Sequence, residues 1–172
     1  MRILFIGGTG IISSACARLV LESGHQLDLL VRGQSQRVRP YPEGAEILLA
    51  DVRDVDAARA ALGNRHYDAV VDWVAFTPDQ IEKDIELFRK RTEQFVFISS
   101  ASAYKKPVER LPITESTPLK NSFWEYSRNK IACEERLVRA YREEDFPITI
   151  VRPSHTYDRT LLPLEDQERK ST

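Results

Sequence analysis

The chain has little cysteine. Cys16 and Cys133 are its only two, they lack the close spacing of a metal-ligand pair, and both fall in stretches that read as helical. They are expected to be packed thiols rather than a disulfide or a metal site. Charge of one sign is equally lacking: 25 Lys and Arg oppose 26 Asp and Glu, leaving a net charge of -1 and a pI near 6.3. Without a basic stripe there is no field to attract nucleic acid, which is therefore not an expected partner. No apolar run exceeds strand length, so no membrane span is expected. The chain passes from Met1-Arg2 directly into its first apolar run. A cytoplasmic location is the expectation that follows. Neither internal repeats nor low-complexity tracts interrupt the pattern.

What the sequence does contain begins at its first turn. Arg2-Ile3-Leu4-Phe5-Ile6 reads as a buried strand, Gly7-Gly8-Thr9-Gly10 as a turn, and the apolar spacing from Ile11 through Leu21 as a helix. Strand, glycine turn and helix together make an anion cradle, in which backbone amides and the positive end of the helix face a pyrophosphate. Gly8-Thr9-Gly10-Ile11-Ile12-Ser13 matches the dinucleotide fingerprint Gly-x-Gly-x-x-Gly/Ala, with Ser13 in place of the third glycine. That serine is expected to widen the fit of helix on strand slightly.

Hydrophobic residues make up 42% of the 172, enough for a single core and a single domain. After Ser23-Gly24-His25 a second strand runs from Gln26 to Arg32 and ends at Gly33. In a dinucleotide fold this strand end meets the adenosine ribose, where an acid accepts a 2′-hydroxyl and an arginine pairs a 2′-phosphate. Arg32 stands there, Arg37 and Arg39 follow, and Asp28 comes too early in the strand to play the acid's part. NADP is thus favoured over NAD, the alternative being arginines that merely solvate a loop. Pro40, Pro42 and Gly44 mark a loop, Ala45 to Asp51 a third strand, and Asp54 caps a helix reaching Leu62. A nearly continuous apolar strand, Asp68 to Ala75, precedes a helix that starts at Thr77-Pro78 and runs to about Arg91. Gln94 to Ser100 is a fifth strand, 106–122 a proline-interrupted loop, 123–144 the longest helix, and Pro147 to Arg152 a sixth strand. Strands alternating with helices in this way predict an α/β, doubly wound parallel sheet of about six strands with helices on both faces, the NAD(P)-binding Rossmann fold. Ligands of such sheets lie beyond the carboxyl ends of the strands.

Two further stretches carry chemistry. Tyr126-Ser127-Arg128-Asn129-Lys130 sets a phenol and an ammonium four residues apart on one helix face. An ammonium beside a phenol favours the phenolate and makes the tyrosine a usable acid/base. Ser99-Ser100-Ala101-Ser102 places hydroxyls at a strand's carboxyl end, suited to bonding a substrate carbonyl or alcohol. Glycine turn, Asp51-Val52, the serine run, Tyr-x-x-x-Lys and Arg152-Pro153, in this order, resemble the extended short-chain dehydrogenase/reductase superfamily. Within it the chain resembles the NAD-dependent epimerase/dehydratase, or nucleotide-sugar epimerase-like, branch, over residues 1 to about 158.

The resemblance implies a hydride transfer between nicotinamide and a hydroxyl-bearing carbon of a small-molecule substrate, a nucleotide sugar among the options. It implies Tyr126 as catalytic acid/base, Lys130 as the residue that holds the nicotinamide ribose and tunes Tyr126, and Ser100 as the group that polarises the reacting oxygen. Cofactor contacts are implied for Gly7, Thr9, Gly10, Ile11, Ile12, Arg32, Asp51, Val52, Val74, Ala75 and Pro153, and no metal. A homodimer is implied through helices 78–91 and 123–144, whose apolar residues Ile81, Ile85, Phe88, Ile131, Leu137 and Val138 are also able to pack on the sheet. His155 either reaches substrate or is a loop histidine.

The chain departs from the family in three ways. Ala101-Ser102 replaces the acidic pair of sugar 4,6-dehydratases, which disfavours dehydration by that route. Ser127 replaces the usual glycine after the tyrosine, and Trp124-Glu125 rather than proline precedes it. Members also usually continue well past the sixth strand into a small domain that encloses substrate. Here residues 159–172 form only a short charged tail, so a module that binds cofactor with weak or no turnover is the alternative.

Overall fold

The computed structural model describes residues 1–33 and 39–158. Six strands, β1 (Arg2–Ile6), β2 (Gln26–Val31), β3 (Glu46–Leu49), β4 (Ala69–Asp72), β5 (Phe95–Ile98) and β6 (Ile148–Val151), form one sheet. Around it lie α1 (Ile11–Glu22), α2 (Val55–Leu62), α3 (Pro78–Phe88) and α4 (Glu125–Glu144). The spatial order is β3-β2-β1-β4-β5-β6 and every pairing is parallel, which is the expected doubly wound, Rossmann-like arrangement. The order reverses between β1 and β4, and a crevice opens there beyond the carboxyl ends of the strands.

Alternation along the strands divides the core in two. Leu4 and Ile6 of β1 face a large cluster with Ala58 and Leu62 of α2, Ile81, Ile85 and Phe88 of α3, and Cys133, Leu137 and Ala140 of α4. Ile3 and Phe5 face a smaller cluster with the buried Ala17 of α1, against which Cys16, Val20 and Leu21 of the same helix also pack. Both cysteines are free thiols, and burial pushes Cys133 up to about 12. Among the described residues no helix is long and apolar enough to cross a membrane.

Two expectations need correction. Strands and helices do not alternate at every step, because the described part of the β2-to-β3 connection contains no helix. Its Pro40, Pro42 and Gly44 oppose one. The longest helix begins at Glu125, not Phe123; Trp124 takes the N-cap position, and Asp145, at φ +53°, ends the helix in the left-handed region. Of the six apolar residues expected on a dimer face, Ile81, Ile85, Phe88 and Leu137 are at most 1% exposed within this chain's own core. Only Ile131 and Val138 keep partial exposure. The charged tail, 159–172, lies outside the described residues.

Candidate active site

The first turn is shaped by its glycines. Gly7 has φ +94°, and a Cβ added to it would stand 2.9 Å from Val74 Cγ1. Gly10 takes the N-cap position of α1, and its N–H donates to Ser13 Oγ at 2.9 Å. Gly8 has φ +140°, and a Cβ added to it would stand 3.0 Å from Leu29 Cδ2. Ser13, 3% exposed, caps the helix and is not merely a spacer. The next amides, of Ile11 and Ile12, stand at the free N-terminal turn, where a helix has no acceptor of its own.

Just before them, Gly7, Gly8, Thr9 and Gly10, with Ser13, line a cleft of about 280 Å³. Arg32 from the end of β2, Asp51 and Val52 after β3, and Val74 and Phe76 after β4 complete its walls. Asp51 Oδ1 accepts the Arg53 N–H at 2.9 Å, and Arg53 Nη2 donates to the Val74 carbonyl at 3.2 Å, tying two of those walls together. Arg53 also lines the cleft and escaped notice in the sequence, lying just past the Asp51-Val52 pair. Among the three arginines expected near the ribose, Arg32 makes no ion pair with the described residues. Arg39 pairs with Asp158 at 2.6 Å, and Arg37 lies outside the described residues. Asp28 is engaged elsewhere, accepting from Arg2 and from the Tyr67 hydroxyl, each at 2.8 Å.

At the other end of the crevice, Tyr126 and Lys130 stand one turn apart on α4. Lys130 is 2% exposed and donates to the carbonyls of Ala75 and Ile98, both at 2.7 Å. Its ammonium lies 4.7 Å from the Phe76 ring centroid, 4.6 Å from that of Phe97 and 5.9 Å from that of Tyr126. Burial lowers its pKa, and the Asp72 charge is first among the groups that oppose this. Phe76 also stands 6.2 Å from the Tyr126 ring, so one side chain is shared by the cleft and the Tyr126–Lys130 pair.

Ser100 belongs to a chain of hydroxyls. It donates to Ser102 Oγ at 2.9 Å and accepts the Ser102 N–H at 3.1 Å, while Ser127 donates to Ser102 Oγ at 2.9 Å. Asn121 Nδ2 donates to the Ser102 carbonyl at 2.8 Å. Ser102, Ser127 and Asn121 were not anticipated as a group; their hydroxyls and amide were visible, but only the fold brings 102 beside 127. Pro153 accepts the Ala101 N–H at 2.9 Å, which fastens it beside the same turn. The buried Glu134 accepts from the Ser99 hydroxyl and takes a forked contact from Arg152, locking β6 to α4. His155 is exposed.

Against known proteins, the model of the NAD-dependent epimerase/dehydratase family matches residues 3–169. The chain belongs to that family. Among curated relatives, it is 28% identical to the UDP-glucose 4-epimerase of Lactobacillus helveticus, over 88% of this chain and 51% of the relative. It is also 28% identical to the Arabidopsis thaliana chloroplast stem-loop binding protein of 41 kDa b, over 61% of this chain and 30% of that protein. The chain thus spans about half the length of the first and under a third of the second. An NAD-bound dTDP-glucose 4,6-dehydratase from Bacillus anthracis superposes with a TM-score of 0.80 at 18% identity, over 95% of this chain and 58% of that one. The family's dinucleotide fits what is present here: a glycine where a Cβ would collide, free amides at a helix start, and a cleft whose wall residue Phe76 lies against a buried lysine.

Proposed function

We propose that this family member binds a nicotinamide dinucleotide along the cleft and exchanges a hydride with a hydroxyl-bearing carbon of a small molecule, a nucleotide sugar by analogy with its relatives. Bound nicotinamide supplies the hydride acceptor or donor. The residues of the chain do the rest. Tyr126 exchanges the proton of the reacting hydroxyl. Two donors of Lys130 are fixed on carbonyls, and the third holds the ribose. Ser100 braces the reacting oxygen. Because Ser102 Oγ accepts from both Ser100 and Ser127, turning the Ser102 hydroxyl towards Ser100 would release the Ser100 proton for substrate. Thr9, Ile11, Ile12, Asp51, Val52, Val74, Ala75 and Pro153 line the path of the cofactor, and Arg32 at its ribose end favours NADP over NAD.

The observation that carries this reading is Phe76, which joins the glycine-lined cleft to Tyr126 and Lys130. A second reading is a cofactor-binding module without turnover. Fluorescence titration with NADPH and NADH, followed by turnover assays with UDP- and dTDP-sugars, separates the two. On the first reading Tyr126→Phe lowers turnover by about a hundredfold or more and leaves cofactor affinity unchanged. Binding without turnover in the parent chain selects the module, and failure to bind either nucleotide defeats both.

A further inference from the structure

Two aspartates stand where the packing otherwise excludes charge. Asp72 ends β4 at 1% exposure, and Asp84 lies on the inner face of α3 at 2%. Asp72 Oδ1 accepts the amides of Val74 at 2.7 Å and Ala75 at 3.1 Å. Its Oδ2 and the Oδ2 of Asp84 are buried with no conventional donor. Both aspartates line one small void, together with Val52, Val74 and Ala75. A carboxyl pair bonds only when one member carries a proton, and burial makes a second charge costly.

The surroundings permit one negative charge here. Arg53 approaches from the segment after β3, Lys83 from α3, and Lys130, Cys133 and Glu134 from α4. Arg53 has Asp51 as its ion-pair partner and the Val74 carbonyl as acceptor. Lys83 donates to the Arg53 carbonyl at 2.6 Å, Glu134 is paired with Arg152, and burial keeps the Cys133 thiol neutral. Among the described residues, Lys130 is left as the buried ammonium without an ion-pair contact of its own.

We propose that Asp72 and Asp84 hold one proton between them and act as a positioning pair, fixing the Val74–Ala75 turn and supplying the counter-charge of Lys130. The link is short: Asp72 fixes the Ala75 amide, and the Ala75 carbonyl accepts from Lys130. Burial, and then the Asp72 charge, hold Asp84 well above the usual carboxylate range, with Arg53 opposing. The positioning role rests on the proposed cofactor reading; the shared proton does not.

Infrared spectroscopy of the wild-type chain at neutral pH tests the proton directly. Exposed carboxyls are ionised there, so a remaining carboxylic-acid C=O band is expected, and Asp84→Asn removes it. That spectrum decides the matter alone should a variant fail to fold. Thermal melts against pH provide a second arm. The unfolded chain loses the Asp84 proton in the ordinary carboxylate range while the folded chain keeps it. This contribution to stability therefore falls as pH rises from that range towards the raised folded value, and Asp84→Asn, whose amide donates to Asp72 at every pH, abolishes the fall. In NADH titrations Asp84→Asn keeps wild-type affinity, whereas Asp72→Ala, which frees the Val74–Ala75 turn and strips Lys130 of its counter-charge, weakens binding about tenfold. A wild-type spectrum without the band, or equal pH profiles for wild type and Asp84→Asn, overturns the shared proton. Equal NADH affinity of wild type and Asp72→Ala overturns the positioning role. If no form binds NADH while the band is present, the cofactor reading falls together with the positioning role, and the proton stands.

Discussion

Arg32 shows how much a single side chain can decide. It is exposed at the end of β2, lines the cleft, and has no ion-pair partner among the described residues, whereas Arg39 is neutralised by Asp158. An arginine fork on a 2′-phosphate makes charge-assisted hydrogen bonds that a 2′-hydroxyl does not need. Arg32→Ala is therefore expected to weaken NADPH binding about tenfold and to leave NADH binding nearly unchanged. Parallel fluorescence titrations measure this, and equal losses for the two nucleotides would remove the basis for preferring NADP. At this scale the site was legible where its chemistry is local. Glycines at a turn and a Tyr-x-x-x-Lys spacing announce themselves within a few residues. Asp72 and Asp84 were not legible as a pair. One lies at the end of a strand read as nearly continuous in apolar character. The other falls three residues after Ile81 and one before Ile85 on an apolar helix face, and nothing in the spacing says that 72 and 84 meet.

Among the elements, α4 does two jobs that constrain each other. Tyr126 and Lys130 at its start serve the crevice, while Cys133, Leu137 and Ala140 along its length pack against β5 and α3 in the larger core. Loosening the packed half therefore shifts the frame on which the site stands. Leu137, fully buried in that core, is expected to cost about 2–5 kcal/mol when cut to alanine, read from chemical denaturation midpoints. A loss well below 1 kcal/mol would mean that α4 is not seated on the sheet as described. The periodicity of α3 and α4 gave their existence and inner face correctly. It had no means of saying whether that face meets the sheet or a second subunit, since both burials select the same apolar stripe. Four of the six residues at issue pack inside the chain. The β2-to-β3 connection was harder still, for its prolines mark where a helix is opposed without saying what replaces it.

Taken as a whole, the molecule is covered unevenly. Among the described residues, α2, α3 and α4 back one face of the sheet, and α1 alone backs the other. Val96 and Ile98 of β5 and Val151 of β6 point to that thinner side; Val151 is 41% exposed, and no helix among the described residues lies over them. β6 is also an edge of the sheet, paired only with β5 among the described strands. An unprotected edge beside an apolar patch invites pairing with another copy, and a single lysine on such a strand is an effective guard. The 172-residue chain is accordingly expected to show a light-scattering mass that rises with concentration. Val151→Lys is expected to return it to the monomer value, with cofactor titration unchanged because the substitution lies outside the cleft walls. Ile131→Lys provides the contrast, since Ile131 and Val138 are the two of the six residues expected at a two-fold pairing through α3 and α4 that keep partial exposure. If Ile131→Lys alone removes the association, the helical pairing is correct and the β6 edge is not used. A constant monomer mass in the parent chain would rule out both.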